Sequence, residues 1–161
     1  MSFNSNDKFK IYRAGIIPYF VNDNGVIEML FMKPANTSFG ADIDPVTFQP
    51  IMRYQLAKGR IENGENSEQA AIREGGEETG LKEDNIIQIL HVGTFLGRTE
   101  VYIAKIKDKN DFAPHDYETE STKWFTIDEF RKDGRSLHLD LVEKSHIIMD
   151  INEQAYGSYR Y

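Results

Sequence analysis

The stretch "AAIREGGEETGL" at residues 70–81 constrains the fold most, because it reads as a helix that breaks two rules of helix composition at once. Gly75 and Gly76 sit side by side in its interior, where each glycine costs about 0.5–1 kcal/mol relative to alanine. Glu74, Glu77 and Glu78 crowd its C-terminal half, where negative charge opposes the helix dipole by about 0.3–1 kcal/mol per group. On a wheel at about 100° per residue, Arg73, Glu74, Glu77 and Glu78 fall on one side and Ala71, Ile72, Gly75, Gly76 and Thr79 on the other. The bare face lets the helix backbone lie close against a sheet. Glu74 and Glu78 stand one turn apart, about 6 Å along the axis, and two charges at that distance repel by roughly 3 kcal/mol at an effective dielectric near 20, less where solvent screens them. Only Arg73 shares their face. Two readings are open at this point: a solvated acidic face, as most charge runs are, or an oxygen-rich site for a hard divalent cation.

Around this helix the chain alternates strand and turn signals. "FKIYRAGIIPYFV" (9–21) and "VIEMLFMK" (26–33) are rich in aromatic and β-branched residues and flank "NDNG", which predicts a hairpin. Pro18 within the first run points to a sheet edge or a bulge. "PANTSFGADIDPVTFQP" (34–50) has no sustained period and reads as a long surface loop, either a specificity element carrying Phe39, Asp42, Asp44 and Phe48 or a plain insertion. "MRYQLAKGRI" (52–61) reads as a short strand, Asn66 or Ser67 as the cap of the helix, and Gly80 as its left-handed terminator. Strands are expected at 85–96, 99–107 and 123–127, with a polar loop between the last two. A closing helix at 139–156 should pack through Leu141, Ile148 and Ile151. The pattern predicts one domain over residues 1–161, an α/β protein with helices on the faces of a mixed sheet.

Composition narrows the function. A net charge of −7 argues against a broad nucleic-acid-tracking surface, leaving room for a local basic pocket. The absence of cysteine excludes disulfides, thiolate metal sites and a cysteine nucleophile. "MSFNSNDKFKIYRAG" has no apolar core with a cleavage site, and no run of roughly 18 apolar residues occurs, so the expectation is a cytoplasmic protein without membrane association. His91, His115, His138 and His146 show no metal-ligand spacing and read as structural or surface residues.

The segment "GRIENGENSEQAAIREGGEETGL" (59–81) resembles the signature box of the Nudix hydrolases in Gly59, Glu65, Arg73, Glu74, Glu77, Glu78, Gly80 and Leu81. Leu81 fills an aliphatic position and the other seven are identities; at ordinary residue usage, seven identities in fixed register arise by chance on the order of once in 10⁸ starts. One position departs: Gly75 stands where the family has an aliphatic residue. The resemblance implies the family's α/β/α sandwich and Mg2+ or Mn2+ held by Glu74, Glu77 and Glu78, with the backbone near Lys58–Gly59 as a further ligand. It casts Glu74 as the group that orients or deprotonates the attacking water, and Arg73 with Glu65 as an orienting pair. One more loop glutamate ahead of Trp124 is expected, Glu118 or Glu120, with Glu118 preferred; either also fits an exposed loop acid. "YQLAKG" is similar to the approach to the box in dinucleoside polyphosphate hydrolases. That makes Tyr54 a base-stacking residue or a core aromatic, and makes Lys58 and Arg13 cations for phosphate oxygens or solvated side chains. Arg98 stands where tetraphosphate enzymes of the family tend to have a tyrosine. The implied activity is hydrolysis of a pyrophosphate linkage in a small nucleotide, such as a dinucleoside polyphosphate or an ADP-ribose-like compound, by a monomer or homodimer. Removal of pyrophosphate from an RNA 5′ end and a non-catalytic nucleotide sensor are the alternatives.

Overall fold

The computed structural model describes residues 11–35 and 41–157. The first two residues of the expected opening strand, Phe39 of the 34–50 loop and the two ends of the expected 1–161 domain lie outside them. In chain order the elements are β1 (Arg13–Val21), β2 (Ile27–Pro34), β3 (Asp42–Ile43), β4 (Pro50–Ile51), β5 (Ala57–Arg60), α1 (Ser67–Thr79), β6 (Ile86–Phe95), β7 (Thr99–Ile106), β8 (Thr119–Phe125), α2 (Ile127–Asp133) and α3 (Leu139–Gly157). Six strands form a mixed sheet in the order β6-β7-β1-β2-β8, with β5 paired to the remaining length of β1. Only β1 and β7 run parallel; the other neighbours in this sheet are antiparallel.

Alternation along the central strands divides the core in two. Ala14 and Ile16 of β1 and Tyr102, Ala104 and Ile106 of β7 meet Ala70 and Ala71 of α1 and Leu81. Ile17 and Tyr19 of β1 and Val101 and Ile103 of β7 face the opposite way, onto Phe130 of α2 and Leu141, Val142 and Met149 of α3. This is the period-2 geometry of strands buried on both faces, and it yields the expected α/β/α layering.

Pro18 is not at a sheet edge. It sits in the most central strand, paired in register with Ala104 of β7. On its other side β1 bonds β5 through residues 13–16 and β2 through residues 19–21, so the missing donor falls where β1 changes partners. Other boundaries also move. The 52–61 run is a regular strand only at β5, preceded by isolated bridges at Gln55 and Tyr54. The 34–50 loop contains β3, which pairs with β4 in a separate two-stranded ribbon. The last strand begins at Thr119, four residues earlier than expected, and α2 follows it. In α3 the inner face is Leu141, Val142, Ser145, Met149 and Asn152, whereas Ile151 is 62% exposed. At about 100° per residue Ile151 lies some 120° from the centre of that face, and Asn152 turns inward instead to donate to the Tyr19 hydroxyl and Gln88 Oε1.

Helix α1 is fixed at both ends. Asn66 caps it, accepting from the Gln69 amide while the Gln69 side chain accepts from the Asn66 amide. Gly80 ends it at φ 81°, donating to the Gly76 carbonyl, and Leu81 donates to the Gly75 carbonyl. The loop after β7 then covers the exposed end: Asp116 N–H, Thr119 Oγ1 and Ala113 N–H donate to the carbonyls of Glu77, Glu78 and Gly80. These bonds satisfy acceptors that the helix itself leaves open.

Gly75 explains the departure at the aliphatic position. A Cβ there would stand 2.7 Å from Ile16 Cγ2 and 3.0 Å from Leu81 Cδ2, so the helix already sits on β1 as closely as backbone permits. Gly75→Ala is therefore expected to destabilise the protein by about 1–2 kcal/mol through overpacking, against the roughly 1 kcal/mol gain that helix propensity alone would give. Urea unfolding decides, since a midpoint raised by the substitution would contradict this packing.

Candidate active site

Close packing of α1 delivers its acidic face to the edge of β5. A Cβ on Gly59 would overlap the Glu74 carboxyl, so the glycine is what lets that carboxyl rest against the strand. One residue earlier, the Lys58 amide donates to Glu78 Oε2 at 3.0 Å. Together with the Glu77 and Glu118 side chains these groups line an open cleft of about 300 Å3, whose other walls include Arg13, Gln55, Leu56, Lys58, Arg60 and Asp116.

Arg73 is the brace of the acidic face. Its Nε and Nη2 donate to Glu65, at 3.1 Å to Oε2 and 2.7 Å to Oε1. Nη2 also donates to the Arg60 carbonyl at 2.8 Å, and Nη1 to Glu74 Oε1 at 2.9 Å and Glu77 Oε1 at 3.3 Å. The guanidinium thus links α1 to the loop and strand before it through Glu65, Glu74, Glu77 and the Arg60 carbonyl. Bonding to Arg73 holds the Glu65 carboxyl below the usual carboxylate range.

Glu74 and Glu78 show the opposite behaviour. Burial raises the Glu74 carboxyl despite its bond to Arg73. Burial first, and then the neighbouring Glu74 carboxyl, push Glu78 up to about 9, the two groups being close enough to share a proton. The repulsion expected from the helical wheel is present, and it is strongest where solvent is excluded. Glu77 is about half exposed and leans toward Arg73. Among the described residues no three His, Asp or Glu groups already stand as a metal cage.

The other expected residues divide between the cleft and elsewhere. Arg13, Lys58, Gly59 and Glu118 line it. Glu120 is turned away, 57% exposed and paired with Lys33 at 3.4 Å. Tyr54 is also elsewhere: its ring packs edge-on against Phe125 at 5.3 Å, and its hydroxyl bonds Ser121 Oγ at 2.7 Å. The base-stacking role is withdrawn, because this ring belongs to the rim of the core on the α2–α3 side. Gln55, Arg60 and Asp116 were not anticipated. Asp116 accepts from the Glu118 amide at 3.0 Å and so sets the turn that presents Glu118; its only sequence signal is an Asp two residues ahead of that glutamate.

Glu78 makes the stability of the metal-free protein depend on pH. Its folded carboxyl keeps a proton up to about pH 9, whereas the ordinary value is 4.5. Stabilisation tied to that proton is complete below about pH 4.5 and is lost as the pH rises through 9. In EDTA, Glu78→Gln should therefore melt at the same or a higher temperature than the wild type near pH 8, with the gap widening toward pH 9. Melting several degrees lower at pH 8 would mean that the carboxyl is needed for the fold.

The NUDIX domain family profile matches residues 28–144, more than half of the chain. Comparison with curated protein sequences gives no significant match. Among solved structures, a C. elegans Ap4A hydrolase in a binary complex is similar at 20% identity and a TM-score of 0.63, over 86% of this chain and 96% of that one. The NUDIX domain of Shewanella oneidensis NrtR complexed with ADP ribose is similar at 14% identity and a TM-score of 0.63, over 92% and 94%. A mutT/nudix family protein from Listeria innocua is similar at 20% identity and a TM-score of 0.62, over 89% and 96%. At these identities the structures speak for the shared fold, and among the described residues no helix is long and apolar enough to cross a membrane. With the NUDIX profile over most of its length and the box residues gathered at one cleft, the chain belongs to the NUDIX domain family.

Proposed function

We propose that this protein hydrolyses the pyrophosphate linkage of a small nucleotide, of the dinucleoside polyphosphate or ADP-ribose type, with Mg2+ or Mn2+ held by Glu74, Glu77, Glu78 and Glu118 and by the backbone at Gly59. One observation carries this reading. Two partly buried carboxyls, Glu74 and Glu78, stand together in one cleft with Lys58 and Arg13, and burial raises both.

The donor set fits a hard cation. All of these groups are oxygens, and the proton that Glu78 retains marks where positive charge is wanted. When bound, such an ion draws charge from phosphate oxygens and lowers the pKa of water. The chain's own residues do the rest. Glu74, with Oε1 fixed by Arg73 and a carboxyl raised toward neutrality, is suited to take the proton from the attacking water. Lys58 and Arg13 neutralise the phosphate oxygens as the anhydride breaks. Glu77 joins by leaving Arg73, a rotation that its exposure permits. The similarity to an Ap4A hydrolase and to a NUDIX domain complexed with ADP ribose supports the substrate class by analogy.

A panel of dinucleoside polyphosphates, ADP-ribose and nucleotide sugars, with product identification, tests the reading. Turnover is expected with Mg2+ or Mn2+ and none in EDTA. Glu74→Gln and Glu78→Gln should each lower kcat by roughly 10²–10⁴, the usual weight of a general base, without lowering the melting temperature. Unchanged rates in EDTA, or in Glu78→Gln, would refute it.

A further inference from the structure

Two arginines that line the cleft, Arg13 and Arg60, stand directly opposite each other in the sheet. Gly59 turns toward the Glu74 carboxyl, so its neighbour Arg60 projects from the other face of β5. Arg13 of β1 is in register with Arg60 across this antiparallel pair, which puts both side chains on that face with Cβ atoms about 4.5–5.5 Å apart. Among the described residues neither guanidinium has a carboxylate within ion-pair distance. Lys58, on the same face, differs, because Glu78 and Glu74 bear on it.

The sheet supplies no acid for the pair. Arg13 has Arg60 on one side and Thr99 of β7 on the other. The next residue of β1 on that face is Gly15, flanked by Lys58 and Val101. Glu100 is in register with Ala14 and so belongs to the opposite face, where it is bonded to His91 and Thr94. Arg13 Nε is buried and makes no hydrogen bond, a donor that native structures rarely leave unused. The Arg13 guanidinium carbon lies 5.7 Å from the Tyr12 ring centre, a contact that attracts the charge without neutralising it. Like charges directly opposite in a sheet destabilise it, and an unused buried donor costs the hydration it has lost. A group with several anionic oxygens between the two guanidiniums removes both faults, and phosphate has the geometry their forks match.

We propose that Arg60 is a substrate-binding residue, which together with Arg13 clasps one phosphate group of the nucleotide on the face of β5 away from Glu74. This rests on the pyrophosphate-cleaving function proposed above. The two faces of one strand then divide the work: Gly59 makes room for a carboxyl of α1 on one, and the paired guanidiniums hold the substrate on the other.

Calorimetry on the full chain at saturating Mg2+, with the methylene-bridged analogue of ADP as the probe, tests the clasp. Arg60→Gln and Arg13→Gln are each expected to weaken binding by about tenfold or more, the weight of a charged hydrogen bond. The double variant should lose little beyond either single one, as two groups on one phosphate do, and Arg60→Lys should restore part of the affinity. Mn2+ binding, followed by electron paramagnetic resonance without substrate, should be unchanged in Arg60→Gln, and its melting temperature equal or higher because a like charge is gone. Unchanged affinity for the analogue in Arg60→Gln overturns the proposal, as does a loss that accompanies weaker Mn2+ binding or a lower melting temperature. If the wild type neither hydrolyses a nucleotide nor binds the analogue, the functional reading fails and inorganic phosphate judges the pair. A rise in the melting temperature of the metal-free wild type that Arg60→Gln lacks upholds the clasp, and an equal response of the two proteins overturns it.

Discussion

Everything at the cleft depends on how closely α1 lies against the sheet. Gly75 on the helix, against Ile16 and Leu81, sets that distance, and Gly59 on β5 leaves room for the Glu74 carboxyl beside the strand. Neither carries a functional group, yet together they bring buried carboxyls within reach of strand amides. A bulkier residue at Gly75 would move the helix outward, so that Glu78 would lose the Lys58 amide and solvent would screen the repulsion that marks the site; one at Gly59 would displace the Glu74 carboxyl.

Arg73 converts that proximity into a fixed geometry. A guanidinium has five donors in a rigid fork, and here they reach Glu65, Glu74, Glu77 and the Arg60 carbonyl. The bonds fasten the helix to the preceding loop, while Glu78 is held by the Lys58 amide on β5. The loop over the C-terminal end of α1 completes the arrangement, since its donors occupy the Glu77 and Glu78 carbonyls and its turn carries Glu118. Negative charge at a helix C-terminus, a fault by local rules, is sustained by tertiary contacts; such local inconsistency is expected where a protein does chemistry.

How much of this was legible in the sequence follows from the range of the interactions. Helix α1 was, because its cap, its terminator and its two-faced glycine and glutamate pattern are all local. The paired strands at β1, β2, β6 and β7 were legible for the same reason. Helix α2 was missed although Thr126 and Glu129 form a capping box; seven residues following a strand offer too little periodicity to claim a helix. Tyr54 was ambiguous because a strand aromatic can face either way, and only the position of Phe125 settles it. The bond from Arg135 to Gln55 was out of reach, because it joins residues eighty apart in sequence.

The central claim is that the partly buried carboxyls of α1 are tolerated because a divalent cation belongs among them. The most direct measurement is an anomalous difference map from a crystal soaked in Mn2+. The account predicts a peak bounded by Glu74, Glu78 and the Gly59 backbone. A map featureless at that place, with the ion bound elsewhere or not at all, would contradict it.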